Sequence, residues 1–148
     1  MNPASFRIDS PTPQKAADDA DKYWSMMQPS FEYGGMEYSA SELAKDCING
    51  DVLLIRVWSG DSVVSVSAVQ VRLFYGTRDL FIMATGSISD INEWIDDFDK
   101  VLVQLATEAD CQTITVQTRE GMGRISRRAG YKVHQVVIRK RVGKTNGR

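Results

Sequence analysis

The sequence predicts one α/β domain whose mixed, largely antiparallel sheet is flanked by helices. Three observations predict it. Three β-rich runs, residues 52–58, 63–75 and 80–84, follow one another across the short turns Ser59-Gly60-Asp61 and Gly76-Thr77-Arg78-Asp79. Such short connections join antiparallel neighbours, because a parallel pair needs a long crossover. Residues 89–109 then repeat apolar positions at three- and four-residue spacings, the mark of a helix laid on a sheet, and a compact β-rich run follows at 114–118. Finally, 148 residues suffice for one sizeable hydrophobic core and are short for two.

In chain order, residues 6–9 form a short first strand, stopped by Pro11 and Pro13. Residues 14–28 read as a helix with an apolar stripe of Ala16, Ala17, Ala20, Tyr23, Trp24 and Met27, and Pro29 marks its stop. Asp18, Asp19 and Asp21 fall in its first turns, where they complement the helix dipole. Tyr33-Gly34-Gly35-Met36 reads as a loop. Ser39 and Glu42 have the spacing of a capping box for a short helix through Ile48, with Leu43, Cys47 and Ile48 on one face and Asn49-Gly50 as the exit.

The run 52–58 is nearly continuous apolar sequence, as in a well-buried strand. In 63–75, alternation puts Val63, Val69, Val71, Leu73 and Tyr75 on one side and Val64, Val66, Ala68 and Phe74 on the other. The long helix presents Ile91, Trp94, Ile95, Phe98, Val101, Leu102, Leu105 and Ala109 to the sheet. After the strand at 114–118 come a short helix at 124–129 and a last strand at 133–140. The domain spans 5–142, and 143–148 reads as a solvated or flexible tail.

Composition narrows the function. The 18 basic and 19 acidic residues leave a formal charge of −1, which argues against a generally basic nucleic-acid-binding protein. The charge is uneven, however. Asp90, Glu93, Asp96, Asp97 and Asp99 crowd the start of the long helix, while 119–148 is strongly basic. Cys47 and Cys111 show neither metal-ligand spacing nor a disulfide framework, and read as small core residues in a reducing compartment. No apolar run reaches 18 residues and the N-terminus has no signal-peptide core, so neither a membrane span nor secretory targeting is expected. The lone His134 reads as a strand residue, with no metal site implied. Trp24, Trp58 and Trp94 read as anchors of a core or an assembly surface.

The most distinctive motif is the run from Arg119 to Tyr131, R-E-G-M-G-R-I-S-R-R-A-G-Y, between two strand-like segments. Two close glycines and several arginines at a strand-to-helix junction make a plausible anion-binding geometry. With the preceding Gln117-Thr118 and the strand from Lys132 to Lys140, this stretch resembles the C-terminal pattern of the GCN5-related N-acetyltransferase superfamily, and in particular small acetyltransferase-like proteins of tailed bacteriophages. The resemblance covers about residues 5–142 and is strongest over the final 60 or so.

The resemblance implies a glycine-rich loop after the fourth strand that binds the pyrophosphate of acetyl-CoA. The comparable Ala84-Thr85-Gly86-Ser87-Ile88-Ser89-Asp90 lacks the full basic, two-glycine arrangement. Met83, Ala84, Gly86, Ser87 and Ser89 are the cofactor-binding candidates it leaves, and Asp90 and Glu93 oppose further negative charge. Aligning Gly130-Tyr131 to the family's glycine-aromatic pair puts Arg119 at the family's asparagine and Ser126 at its general-acid tyrosine, while Tyr131 itself is a packing residue.

Acetyl transfer needs a deprotonated amine, a donor for the developing oxyanion, and a path for the leaving thiolate. A strand N–H near Ile82 to Ala84 is the oxyanion candidate, and Glu37, Asp51 and Ser126 are the catalytic candidates. Arg119, Arg124, Arg127 and Arg128 are the partner-binding candidates, and Arg139-Lys140-Arg141 extends their basic character. The preferred expectation is a non-catalytic acetyltransferase-like phage structural or virion-assembly protein. It would use no cofactor and contact other phage structural proteins, with homo-oligomers or nucleic acid as further partners. It would reside in the virion, or in the host cytoplasm during assembly. The alternative is an acetyl-CoA-dependent N-acetyltransferase acting on an unidentified amine.

Overall fold

The computed structural model describes residues 5–33, 38–74 and 76–116. They form a five-stranded sheet in the order β1-β2-β3-β4-β5. The strands are β1 (Phe6–Asp9), β2 (Leu53–Ser59), β3 (Ser62–Phe74), β4 (Thr77–Ser87) and β5 (Thr113–Val116). The first four pair antiparallel in sequence order, as the short turns require, and β5 joins β4 in parallel after a helical crossover. Helices α1 (Pro13–Asp18), α2 (Ala20–Tyr33) and α3 (Ala40–Ile48) cover one side of the sheet, and α4 (Ile95–Glu108) covers the other. The expected short helix, last strand and tail beyond residue 116 lie outside the described residues.

Local chemistry explains most boundaries. Thr12 caps α1 by accepting the Lys15 N–H, with Pro13 in the first turn, where a missing N–H costs nothing. Ser39 caps α3, accepting from the Glu42 N–H at 3.2 Å, the N-cap half of the capping box expected from the sequence, and its hydroxyl donates to the Glu42 carboxylate at 3.1 Å. Gly50, Gly60 and Gly76 take positive φ at the three tight exits.

The expected helix 14–28 is two helices, and Pro29 is not its stop. The chain turns at Asp19, so Asp18 and Asp19 close α1; Asp18 accepts from Gln14, and Asp19 pairs with Lys15 at 3.1 Å. Only Asp21 sits in a first turn, that of α2. Pro29 lies exposed inside α2, where it removes one backbone hydrogen bond. The helix continues because Tyr23, Met27 and Phe31, one turn apart on either side of Pro29, are all buried against the sheet. On α3, Leu43 and Cys47 are buried as expected, but Ile48 is 47% exposed at the helix end. The long helix is shorter than its pattern: a 3-10 turn (Ile91–Glu93), capped by Asp90, precedes α4.

Strand β3 does not alternate strictly. Val57 pairs with Ser65 and Trp58 with Val63, so Val64 is an extra residue. Val64 consequently packs with Val69 on the α4 side, while Val63, Val66 and Ala68 pack under α1–α3. A second bulge lies in β4: Ala68 pairs with Ala84 and Val69 with Ile82, leaving Met83 extra. Ile82 therefore faces α4, and Met83 and Ala84 both face α2.

Two contacts lock β4. At Gly86, a methyl group would overlap the Met26 carbonyl of α2, so helix and strand backbones touch directly. At the other end, the fully buried Asp79 accepts from Arg72 Nε at 3.1 Å, Thr113 Oγ1 at 2.7 Å and Thr115 Oγ1 at 2.8 Å, tying β3, β4 and β5 together. The Arg72 guanidinium lies 3.7 Å over the Phe81 ring, which holds it beside the acid.

Gly86→Ala must push α2 off the sheet and is expected to cost about 1–3 kcal/mol, read from the urea midpoint. Asp79→Ala removes the buried acceptor of Arg72 Nε and of two threonine hydroxyls. Its expected loss is about 3 kcal/mol by the same measurement.

Candidate functional site

The candidate site is the half of β4 beyond its bulge. Among the described residues, β4–β5 pairing runs from Asp79/Thr113 to Ile82/Val116, and Met83–Ser87 has a partner strand on the β3 side. The hydrogen-bond phase of this half is set at its end. The Ile88 N–H donates to the Val64 carbonyl at 2.9 Å, which frames Ser65–Ser87 as a pair whose own amides point outward. Two residues back, Ser67–Thr85 has the same phase. Thr85 therefore turns its N–H away from β3, toward the β5 side. There it donates to Ser30 Oγ of α2 at 3.3 Å, a long bond for an amide.

The side chains beneath are small, polar and satisfied. Ser65 and Ser67 are fully buried. Ser65 Oγ donates to the Gly86 carbonyl at 2.9 Å, and the Ser67 and Thr85 hydroxyls bond each other at 2.8 Å. Ser87 Oγ donates to the Ser89 carbonyl at 2.9 Å, with the Val64 carbonyl at 3.3 Å as its alternative acceptor, and Ser89 Oγ accepts from the Trp94 indole at 3.0 Å. The turn after β4 is thus held by its own hydroxyls, with Trp94 buried beneath it and edge-on to Phe98.

Beyond that turn the surface is acidic. Asp90 accepts from the Asn92 backbone and side-chain amides at 3.0 and 2.9 Å. Trp94 stands at the N-cap of α4 without a side-chain cap bond, and Asp96 and Asp97 are exposed in the first turn. From Ser87 to Phe98 the sequence holds no lysine or arginine.

These positions revise the sequence expectation of a loop at 84–90. Strand β4 runs to Ser87, so Ala84, Gly86 and Ser87 are strand residues and only Ile88–Asp90 turn. Met83 and Ala84 are buried toward α2, Gly86 is pressed on Met26, and Ser89 serves Trp94. Asp51 lies elsewhere. Its N–H donates to the Asp46 carbonyl at 2.9 Å, and it lines a cleft of about 480 Å³ with Leu53, Val71, Leu80 and Leu105, toward the β3–β4 hairpin. Glu37, Ser126, Arg119, Arg124, Arg127 and Arg128 lie outside the described residues, as do Tyr131 and His134. Among the described residues, no group of three His, Cys, Asp or Glu side chains could hold a metal ion. Nor is any described helix long and apolar enough to cross a membrane.

Ser30 and the buried serines carried no motif. The signal for Ser30 was its place four residues beyond Met26 on a helix that the sequence pattern ended too early. Trp58, expected to anchor a core or an assembly surface, is part-buried and outside the two core clusters. It lies on β2 between the Arg7 and Arg56 guanidiniums, 4.6 and 5.0 Å from its ring, and its indole N–H donates to Asp9 at 2.9 Å. Asp9 also takes a bidentate pair of hydrogen bonds from Arg56, whose Nη1 donates to the Tyr23 hydroxyl. Burial raises the Asp9 pKa, but the hydrogen bonds from Arg56 and Trp58 and the charges of Arg56 and Arg7 outweigh it, holding the carboxyl below its ordinary value.

On the helical side Trp24 stacks on Phe31, and the Tyr38 hydroxyl donates to Asp46. Burial and that acceptor push Tyr38 well above the usual phenol range. Burial and the neighbouring Asp46 push the Cys47 thiol up to about 11, so it is an inert core group at neutral pH; Cys111 is only half-buried.

No protein-family profile matches the chain, and no curated protein matches it in sequence. Solved structures do match in fold. Aminoglycoside N-acetyltransferase AAC(6')-Iy, in complex with CoA, superposes with a TM-score of 0.71 at 9% identity, covering 95% of this chain and 97% of that one. An aminoglycoside acetyltransferase from an uncultured soil metagenomic sample, in complex with sisomicin, gives 0.63 at 14%, covering 93% and 95%. An acetyltransferase of Trypanosoma brucei gives 0.63 at 9%, covering 93% and 100%. None of these is a phage protein. The chain has the fold of the GCN5-related acetyltransferases, a single α/β domain, and at these identities the likeness is one of fold.

The lowered Asp9 pKa fixes a sign. Its contribution to stability is complete above the ordinary carboxylate value of 3.8 and is lost as pH falls through the lower folded value. Unfolding free energy should drop more steeply below about pH 4 in the parent than in Asp9→Asn, as followed by urea melts from pH 5 to 2.

Proposed function

We propose that the chain is an acetyl-CoA-dependent N-acetyltransferase acting on an amine. The observation that carries this reading is the bulged backbone of β4, which beyond the bulge has, among the described residues, a partner strand on the β3 side alone. A bulge re-aims backbone groups. Beyond it, Thr85 directs its N–H to the side of the sheet where a ligand arm containing amides can lie as an added strand. The fold likeness to acetyltransferases, one of them in complex with CoA, supports the same reading.

The donor fits the site in part. Its thioester arm suits the outward edge of β4, where Ser30 is the only described group bonded to the Thr85 N–H and a hydroxyl at 3.3 Å is readily exchanged. Its diphosphate does not suit the acidic turn from Asp90 to Asp97. Bound acetyl-CoA would supply the acyl group as an activated thioester. The chain would supply fixed N–H donors near Met83 for the developing negative oxygen. It would also supply a dry floor of Met83, Ala84 and Met27 beneath the strand. Proton removal from the acceptor amine would fall to Glu37, since Asp51 opens into a cleft beside Leu80 and not beside Met83, and Ser126 would stand at the general-acid position beside the departing thiolate.

A second reading, a non-catalytic member of the fold that serves a phage particle, is favoured by one observation: the missing basic loop at the start of α4. Arg119, Arg124, Arg127 and Arg128 would then contact structural partners. Calorimetric titration with acetyl-CoA, together with thiol release in the presence of a panel of polyamines and aminoglycosides, separates the two. Saturable binding with amine-dependent thiol release is expected. A folded protein that shows neither belongs to the second reading.

A further inference from the structure

We infer that this chain recognises the arm of its acyl donor and not the nucleotide, so that acetyl-pantetheine serves as well as acetyl-CoA. The inference rests on the donor reading above and narrows it to thioesters of a pantetheine-type arm, whatever that arm is attached to.

The first ground is the charge at the start of α4. A helix start offers about half a positive elementary charge and a few unpaired N–H groups. Here that half charge meets the full negative charges of Asp96 and Asp97 in the same turn, with Asp90 and Glu93 on the segment leading into it. Among the described residues of this segment the balance is negative before any ligand arrives. No basic side chain between Ser87 and Phe98 offsets it. Asp90 is moreover held in place by two hydrogen bonds from Asn92, so it does not simply swing aside.

The second ground is the construction of that turn. A phosphate-cradling loop needs backbone N–H groups converging on one point, usually through glycines. Between β4 and α4 the chain has no glycine after Gly86, and Gly86 is committed to the Met26 contact. The Ser89 amide is already taken by Ser87 Oγ, the Glu93 amide by the Asp90 carbonyl and the Trp94 amide by the Ile91 carbonyl. Those amides of the turn are spent on the turn itself, and the first-turn amides of α4, which have no side-chain cap, lie beside the Asp96 and Asp97 carboxylates.

The edge of β4 differs on both counts. Thr85 presents an outward N–H to a neutral hydroxyl, with buried, uncharged Ser65 and Ser67 beneath. An uncharged amide arm meets no repulsion there.

The experiment is calorimetric titration of the full chain with acetyl-CoA and with acetyl-pantetheine, each at low and high sodium chloride. The two dissociation constants should agree within about threefold at high salt. Acetyl-CoA binding should tighten as salt screens the acidic turn, while acetyl-pantetheine should not respond. The double variant Asp96→Asn, Asp97→Asn should strengthen acetyl-CoA binding severalfold and leave acetyl-pantetheine unchanged. A preference for acetyl-CoA of about 30-fold or more, or binding that weakens with salt, overturns the inference while leaving the donor reading intact. Binding of neither ligand overturns both.

Discussion

The architecture depends on the place where α2 and β4 touch backbone to backbone. A helix ordinarily sits on a sheet across two layers of side chains. At Gly86 one layer is missing, and the Met26 carbonyl occupies its place. That approach seats Tyr23, Met27 and Phe31 in the core and brings Ser30 within reach of Thr85. It also explains why Pro29 is tolerated. The hydrogen bond lost at one exposed turn is small beside the burial of the aromatic and methionine side chains that flank it. The bulge at Met83 belongs to the same arrangement, since it turns two consecutive residues toward α2 just before the strand meets the helix.

The two ends of β4 solve opposite problems. At the Gly86 end polar groups are small and neutral, and each hydroxyl finds a carbonyl or another hydroxyl. The acidic start of α4 fits this economy as a local device, because carboxylates in a first turn stabilise the helix that carries them. The same carboxylates repel an anionic ligand. Helix stability and diphosphate recognition pull in opposite directions at this turn, and the residues present favour the helix.

Much of the frame was legible from the residues alone. The Ser39 and Glu42 spacing gave α3 its start, the short turns gave three antiparallel strands, and the apolar repeat placed Phe98 and Leu102 on the sheet. What stayed hidden depends on contacts between distant segments. The burial that carries α2 past Pro29 comes from strands 20 or more residues later. The two bulges leave no local signature, because Val64 and Met83 are ordinary strand residues whose extra status exists only relative to a partner. Gly86 looked like loop chemistry because a glycine needed for closeness and a glycine needed for turning are the same letter. The surroundings of Trp58 were hidden too, because nothing nearby in sequence announces that Arg7 and Asp9 would meet it across a strand pair.

Asp79 has a consequence for how the sheet is completed. Strands β2, β3 and β4 can assemble through short hairpins, but β5 arrives only after the whole of α4. Until then β4 is an edge strand with an inward-pointing carboxylate, one of the devices by which natural sheets discourage stray strand pairing. A strand that lacks hydroxyls at the right phase would trap that charge without partners. Thr113 and Thr115, on alternate residues of β5, supply two. A slip of one residue would set Ile114 against the carboxylate instead. The acid therefore works as a lock on a waiting edge, and the paired threonines are cut to open it.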